Sequence, residues 1–324
     1  MHDSSLDQAL RRPHDTLFRG VFSHPARAAE LLRASLPPEA VAAIRWRQLR
    51  PVPGSFVDER LREHITDMLF AAPLRHGIAH LYTVYEHRRR HYRRIALQVH
   101  RYVTQHLTNQ ADLQPRARWL PPVLPFVIHQ GPRRFRAPDA LSQLIDQRGL
   151  PEVLRRHQPE LRLFVFDLQA HDLHGLGLSP LARLPLLHLQ QVADRPDTGR
   201  LLEDWRQPLR ELMAAPGGLP VFNRLVSYVA IVSNEDGQTL KRAYGRIHHH
   251  AEARYMTVAE QLIQEGVTKG AIEERRRLLR LLLTERFGDL PRAVERRLAA
   301  AKARDLDRWV KRLLVAGSLG EVLG

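Results

Sequence analysis

The chain has 324 residues, 44% of them hydrophobic, which is enough for one large domain or two smaller ones with a real core. Its formal net charge of +15 sets up a field that favours polyanions, nucleic acid first and anionic membrane second. There is no cysteine, which excludes disulfides, thiolate zinc sites and a cysteine nucleophile and fits a reducing, cytoplasmic compartment. No charge-free apolar run reaches the roughly 18 residues of a membrane span, and the polar start MHDSSLDQAL lacks the apolar stretch of a secretory signal. The only lysines are Lys241, Lys269, Lys302 and Lys311, so any chemistry before residue 241 works without a lysine.

Residues 14–35 place Leu17, Phe18, Val21 and Phe22 at helical spacing, continued by Leu31 and Leu32 beyond Pro25, and LPPEA ends the pattern. GSFVDERLREH reads as a loop or short extended piece. Two strands follow, 65–74 and 79–87, joined by the turn RHG. Residues 91–109 predict an amphipathic helix with Ile95, Val99, Tyr102, Val103 and His106 along one side. Strands are expected at 121–131 and 161–169, with a helix over 138–157 between them. After HDLHGLGLSP the β-pattern disappears, and residues 179–324 read as helices with a stop at Gly288. The expected fold is α/β: a mixed sheet core flanked by helices, about residues 10–175, with an α-helical C-terminal extension, 176–324.

Two acids stand out. Asp67 lies in the first strand of the hairpin, and Glu86 lies near the end of the second, within YTVYEHRRR. Adjacent strands can set the two carboxylates side by side, and paired carboxylates repel unless a cation lies between them. Oxygen ligands and a phosphodiester substrate favour Mg²⁺, with Mn²⁺ as a substitute. On the next helix Gln98 and Tyr102, four residues apart, share a face and can hydrogen-bond to phosphate or water. Around them lie Arg88, Arg89, Arg90, Arg93, Arg94 and Arg101, and the loop HQGPRRFR adds Arg133, Arg134 and Arg136. This is the charge pattern of a DNA-backbone groove.

An Asp, a Glu about twenty residues on and a Gln-x-x-x-Tyr on the following helix resemble the PD-(D/E)XK nuclease superfamily. The blocks PHDTLFRGVFSHPARAAELLRASLP, GSFVDERLREHITDMLF, YEH, LPPVLPFVIHQG and VFDLQ, in that order, resemble the recombination-promoting nuclease (transposase) family over most of the chain. The resemblance implies a restriction-endonuclease-like core and a Mg²⁺-dependent DNA endonuclease associated with recombination. Asp67 and Glu86 would be metal ligands, and Asp15, in the opening His14-Asp15 pair, would orient the metal or its water. The family reads Glu-His-Gln where this chain has Glu86-His87-Arg88, and the superfamily has lysine at that third position. Arg88 would meet the phosphate there as a cation.

Other readings of the same residues stay open. Asp67 can face solvent, Glu86 can pair with an arginine, Asp15 can cap the first helix, and the arginine run can be a solvated face. The competing class is a catalytically weakened DNA-binding protein of the same fold, because Arg88 stands in place of the expected glutamine or lysine. The triple histidine in IHHHAEARY lacks a His-Glu-x-x-His pattern, and adjacent histidines on one helix point apart, so it reads as a surface cluster. In the C-terminal helices, Leu278, Leu281, Leu282 and Leu283 form an apolar stripe expected to pack on the core or to pair two protomers as a homodimer.

Overall fold

A computed structural model describes residues 9–52, 66–87, 93–193, 195–313 and 316–324. The chain forms two compact units, residues 1–255 and 256–324.

The first unit is built on a five-stranded sheet in the order β1-β2-β3-β4-β5: β1 Arg50–Pro51, β2 Thr66–Pro73, β3 Ile78–His87, β4 Val123–Gln130 and β5 Phe164–Asp167. β1, β2 and β3 pair antiparallel, whereas β3, β4 and β5 pair parallel. The sheet is therefore mixed, as expected. The β2–β3 hairpin turns through Gly77, whose φ of 84° is cheap only without a Cβ.

Helices cover both faces. α1 (Pro13–Phe22) buries Leu17, Phe18, Val21 and Phe22, each worth roughly 1.5–3 kcal/mol. The Phe18 ring stacks on Tyr85 of β3 at 4.0 Å. α2 (Pro25–Ala34) and α3 (Pro38–Ala43) follow. α4 (Ile95–Leu113) crosses from β3 to β4 on the other face, burying Ile95, Ala96, Val99, Tyr102, Val103 and His106.

The helix expected over 138–157 does not form. A single 3-10 turn at Leu141–Leu144 and the four-residue α5 (Glu152–Arg155) stand there instead. Leu141 N–H bonds the Leu161 carbonyl at 2.9 Å and Leu163 N–H bonds Asp139 at 2.8 Å. These cross-chain bonds occupy groups that a helix would need, and Gly149 at φ 77° followed by Pro151 interrupts what is left.

The helical part begins with α6 (Pro180–Gln191), α7 (Thr198–Asp204), α8 (Arg206–Ala214), α9 (Gly218–Val232) and α10 (Gly237–Ile247). α6 and α9 pack against α1. The composition change near residue 175 therefore marks the end of strands, while the two units part at 255/256. α11 (His249–Phe287) carries that boundary, and Gly288 at φ 79° ends it where the sequence predicts.

In the second unit, α12 (Arg292–Ala300), α13 (Ala303–Leu313) and α14 (Leu319–Leu323) close a small core of Leu279, Leu283, Leu298, Leu306, Trp309 and Val322. Of the expected leucine stripe only Leu283 is buried, and Leu279 joins it. Leu278, Leu281 and Leu282 stay exposed, because a helix turns them away from that core. Among the described residues no helix is long and apolar enough to cross a membrane.

Candidate active site at the strand ends

The parallel strands β3, β4 and β5 end level with one another. In register, Glu86 stands beside His129, and His129 beside Asp167. Alternate residues of a strand share a face, so this row continues the face of Tyr82, Val84 and Val127, against which α4 packs. All three are buried, at 5%, 2% and 7% exposure. Burying titratable groups is costly unless hydrogen bonds engage them.

Two of the three hold a loop. The Asp167 carboxylate accepts the backbone N–H groups of Phe135 at 2.7 Å and Gln169 at 3.1 Å. His129 Nε2 lies 3.2 Å from the Arg133 carbonyl, and the ring meets Phe135 edge-on at 5.3 Å. A carbonyl only accepts, so His129 carries its proton on Nε2. Together these contacts fasten residues 131–136 to the ends of β4 and β5, which leaves Arg133, Arg134 and Arg136 exposed around the row.

Asp67 lies in β2 opposite Val84, two residues before Glu86, so the two acidic positions are one register step apart, as the hairpin predicts. The Asp67 side chain and residues Arg88, Arg89 and Arg90 lie outside the described residues. Gln98 Nε2 donates to the Tyr102 hydroxyl at 3.2 Å, and the Tyr102 ring packs against Tyr82 at 5.8 Å. Tyr102 is buried and Gln98 half-buried, so the pair fixes α4 to the face of Glu86 and leaves Gln98 the more accessible member. Arg93, Arg94 and Arg101 are exposed along α4 and its start, with the Arg101 guanidinium 5.9 Å from the Tyr102 ring. Deeper under α4, His80 Nδ1 and His106 Nε2 meet at 2.7 Å. Burial first, then His106 and Arg50, push the His80 pKa down to about 4, so this pair is neutral.

Asp15 occupies the first turn of α1 and is not the capping residue, which is Arg12. Its charge complements the helix N-terminus. α1 covers the face that carries Tyr85, opposite the face of Glu86. Burial first, then Tyr228 and Asp15, raise the Tyr85 pKa well above its usual value. The phenol donates to Gln130 Oε1. Gln130 Nε2 donates to His14 Nδ1 at 3.2 Å, and the Tyr228 hydroxyl reaches the same nitrogen at 2.8 Å. Thus the neighbours of Glu86 and His129 along their strands, Tyr85 and Gln130, are locked from behind. His129 and Asp167 were not expected as site residues. The clue was a lone polar residue closing each apolar run, in VIHQG and FVFDLQ.

A mixed α/β sheet with a buried carboxylate at its parallel strand ends and a rim of arginines defines the class. Within it, a family model described as "Putative transposase, YhgA-like" matches residues 12–218, and the chain belongs to that family. It is 31% identical over 121 residues to recombination-promoting nuclease RpnD of Escherichia coli O157:H7, covering 37% of this chain and 46% of the relative. Here the chain spans about half the length of the curated relative. It is 25% identical over 281 residues to recombination-promoting nuclease RpnA of Escherichia coli K12, covering 80% and 86%. It is also 25% identical over 265 residues to the K12 protein named inactive recombination-promoting nuclease-like protein RpnE, covering 78% and 82%. No solved structure matches the chain.

Proposed function

We propose that the protein is a Mg²⁺-dependent DNA endonuclease acting in recombination. The observation that carries the reading is Glu86, a buried carboxylate at the strand ends, one register step from Asp67 and beside the clamped arginine loop. Oxygen donors of this kind suit Mg²⁺ or Mn²⁺, and no thiolate competes. When bound there, such an ion polarises the scissile phosphate and acidifies its water.

Asp67 and Glu86 would hold the ion. Gln98 would steady the substrate strand, with Tyr102 fixing it from below. Asp15 would act indirectly, through Tyr85. Arg89, Arg90, Arg93, Arg94, Arg101, Arg133 and Arg134 would hold backbone phosphates without reading bases. Arg88 would stabilise charge on the phosphate. A guanidinium keeps its proton in proteins, so Arg88 cannot act as the base.

A second reading has its own support. Identity to RpnA and to RpnE, which is named inactive, is the same 25%, and Arg88 stands where the family carries glutamine. On that reading the chain binds DNA and does not cut it. Supercoiled plasmid incubated with Mg²⁺, Mn²⁺ or EDTA, for wild type, Asp67→Ala and Glu86→Ala, separates the two. Nicking by wild type alone, abolished by EDTA, supports the nuclease. Intact plasmid that still shifts on a gel establishes the binding protein.

A further inference from the structure

Away from the strand ends, the junction of α10 and α11 gathers three imidazoles. α10 ends at Ile247, and His248 leaves helical geometry at φ −168° and ψ 146° before α11 begins at His249. His248 N–H closes α10 on the Tyr244 carbonyl at 3.1 Å. Its own carbonyl accepts from Ala251 at 2.9 Å and Glu252 at 3.2 Å, which opens α11. Histidines adjacent on one helix would point apart. This break turns the chain, so the rings converge instead.

Ring centroids lie 4.3 Å apart for His248 and His249, 3.9 Å for His249 and His250, and 5.1 Å for His248 and His250. One ring nitrogen from each lies within 4.8 Å of the other two. The backbone under them is fixed: Arg210 Nε donates to the Ile247 carbonyl at 2.6 Å, and its Nη2 to the Arg246 carbonyl at 3.0 Å. His249 and His250 are exposed and His248 half-buried, so solvent ions reach all three.

We propose that His248, His249 and His250 form a site for a divalent transition ion of the Zn²⁺, Ni²⁺ or Cu²⁺ type, with water in the remaining positions. Imidazole nitrogen suits these ions, whereas Mg²⁺ requires oxygen donors. Three nitrogens at about 2.0–2.1 Å from one ion stand roughly 3.3 Å apart, so the rings need close by only about 1.5 Å. Rotation of two exposed side chains supplies that. The His250 N–H lies 3.2 Å from His248 Nδ1, and the ion replaces this contact. The ion then ties His248, the residue that connects α10 to α11, to the first turn of α11, which contributes the other two ligands.

The test titrates full-length protein with Zn²⁺ and with Ni²⁺ by calorimetry, in buffer that already contains millimolar Mg²⁺. Cobalt absorption in the visible region reports the coordination. The expected result is one equivalent per chain at micromolar concentration, unaffected by Mg²⁺ and accompanied by a rise in Tm. It weakens at least tenfold in His249→Gln/His250→Gln and persists in Asp67→Ala/Glu86→Ala. The first variant alters two solvent-facing side chains, and its ion-free Tm should match wild type. The proposal is overturned if that variant binds like wild type, if no saturable binding occurs below millimolar ion, or if Asp67→Ala/Glu86→Ala removes the equivalent.

Discussion

Asp167→Ala should cost stability and, on the proposed function, weaken the grip on DNA together. The carboxylate accepts two backbone N–H groups, from Phe135 at 2.7 Å and Gln169 at 3.1 Å, and is only 7% exposed. Hydrogen bonds to a charged group contribute about 1.5–3 kcal/mol each. Because Phe135 and Gln169 are half-buried and water partly replaces the lost acceptor, the lower end applies to each bond, about 3 kcal/mol in all. Asp167→Asn keeps one acceptor and should cost about half as much. Urea unfolding read by tryptophan fluorescence measures this, since Trp46, Trp119 and Trp205 lie in the first unit. The second consequence follows from the loop. If Arg133 and Arg134 each neutralise one phosphate, releasing them lowers the slope of log affinity against log salt by up to about 2. Fluorescence anisotropy on duplex DNA across a salt series reads that slope. A variant within about 0.5 kcal/mol of wild type would refute the clamp. A destabilised variant with an unchanged slope would refute the loop's role in holding phosphate.

Two further outcomes bear on the scaffold. A Cβ at Gly218 would lie 1.6 Å from the Leu212 carbonyl oxygen, whereas one at Gly77 meets nothing. Gly218→Ala should therefore cost more than about 3 kcal/mol, and Gly77→Ala only the roughly 1–2 kcal/mol of a left-handed residue; thermal melts that rank them the other way contradict the packing of α8 on α9. Burial lowers the His188 pKa to about 4, only partly offset by its bond to the Leu184 carbonyl, and His80 is lowered to the same value. The folded state keeps both neutral, while the unfolded chain takes up protons near 6.5. Their stabilisation is complete above about pH 6.5 and fades as pH falls towards 4, by about 2 kcal/mol at pH 5 for the fully buried His188 and by less for His80, which shares its proton balance with His106. His188→Leu should flatten the loss measured by urea unfolding between pH 7 and 5, and an equally steep loss would show that His188 is already charged in the fold.

What could be read in advance was local. The β2–β3 hairpin announces itself through alternating aromatic and branched residues around a glycine turn, and it carried Asp67 and Glu86 with it. Leu17, Phe18, Val21 and Phe22 marked α1 by spacing alone. The segment 138–157 deceived because its leucines keep helical spacing while its backbone pairs with residues 161–163, a contact no period reveals. His129 and Asp167 stayed hidden for a related reason: parallel register between β3, β4 and β5 is set across long connections. The turn at His248 has no glycine or proline to announce it. The 175 boundary followed composition, but α6 and α9 belong to the packing of α1, and only contacts could show that.

The bond between His14 and Tyr228 spans 214 residues. During synthesis, every residue proposed to touch DNA emerges from the ribosome before α9 does, so α1 lies against the sheet without its α6 and α9 neighbours until those helices have followed. A fragment ending after β5 would hold the proposed catalytic residues yet leave the side of α1 that meets α6 and α9 open to aggregation. The smallest piece that could fold would have to extend through α9. A nascent chain stalled before then offers chaperones an α1 that still lacks the helices packing against it.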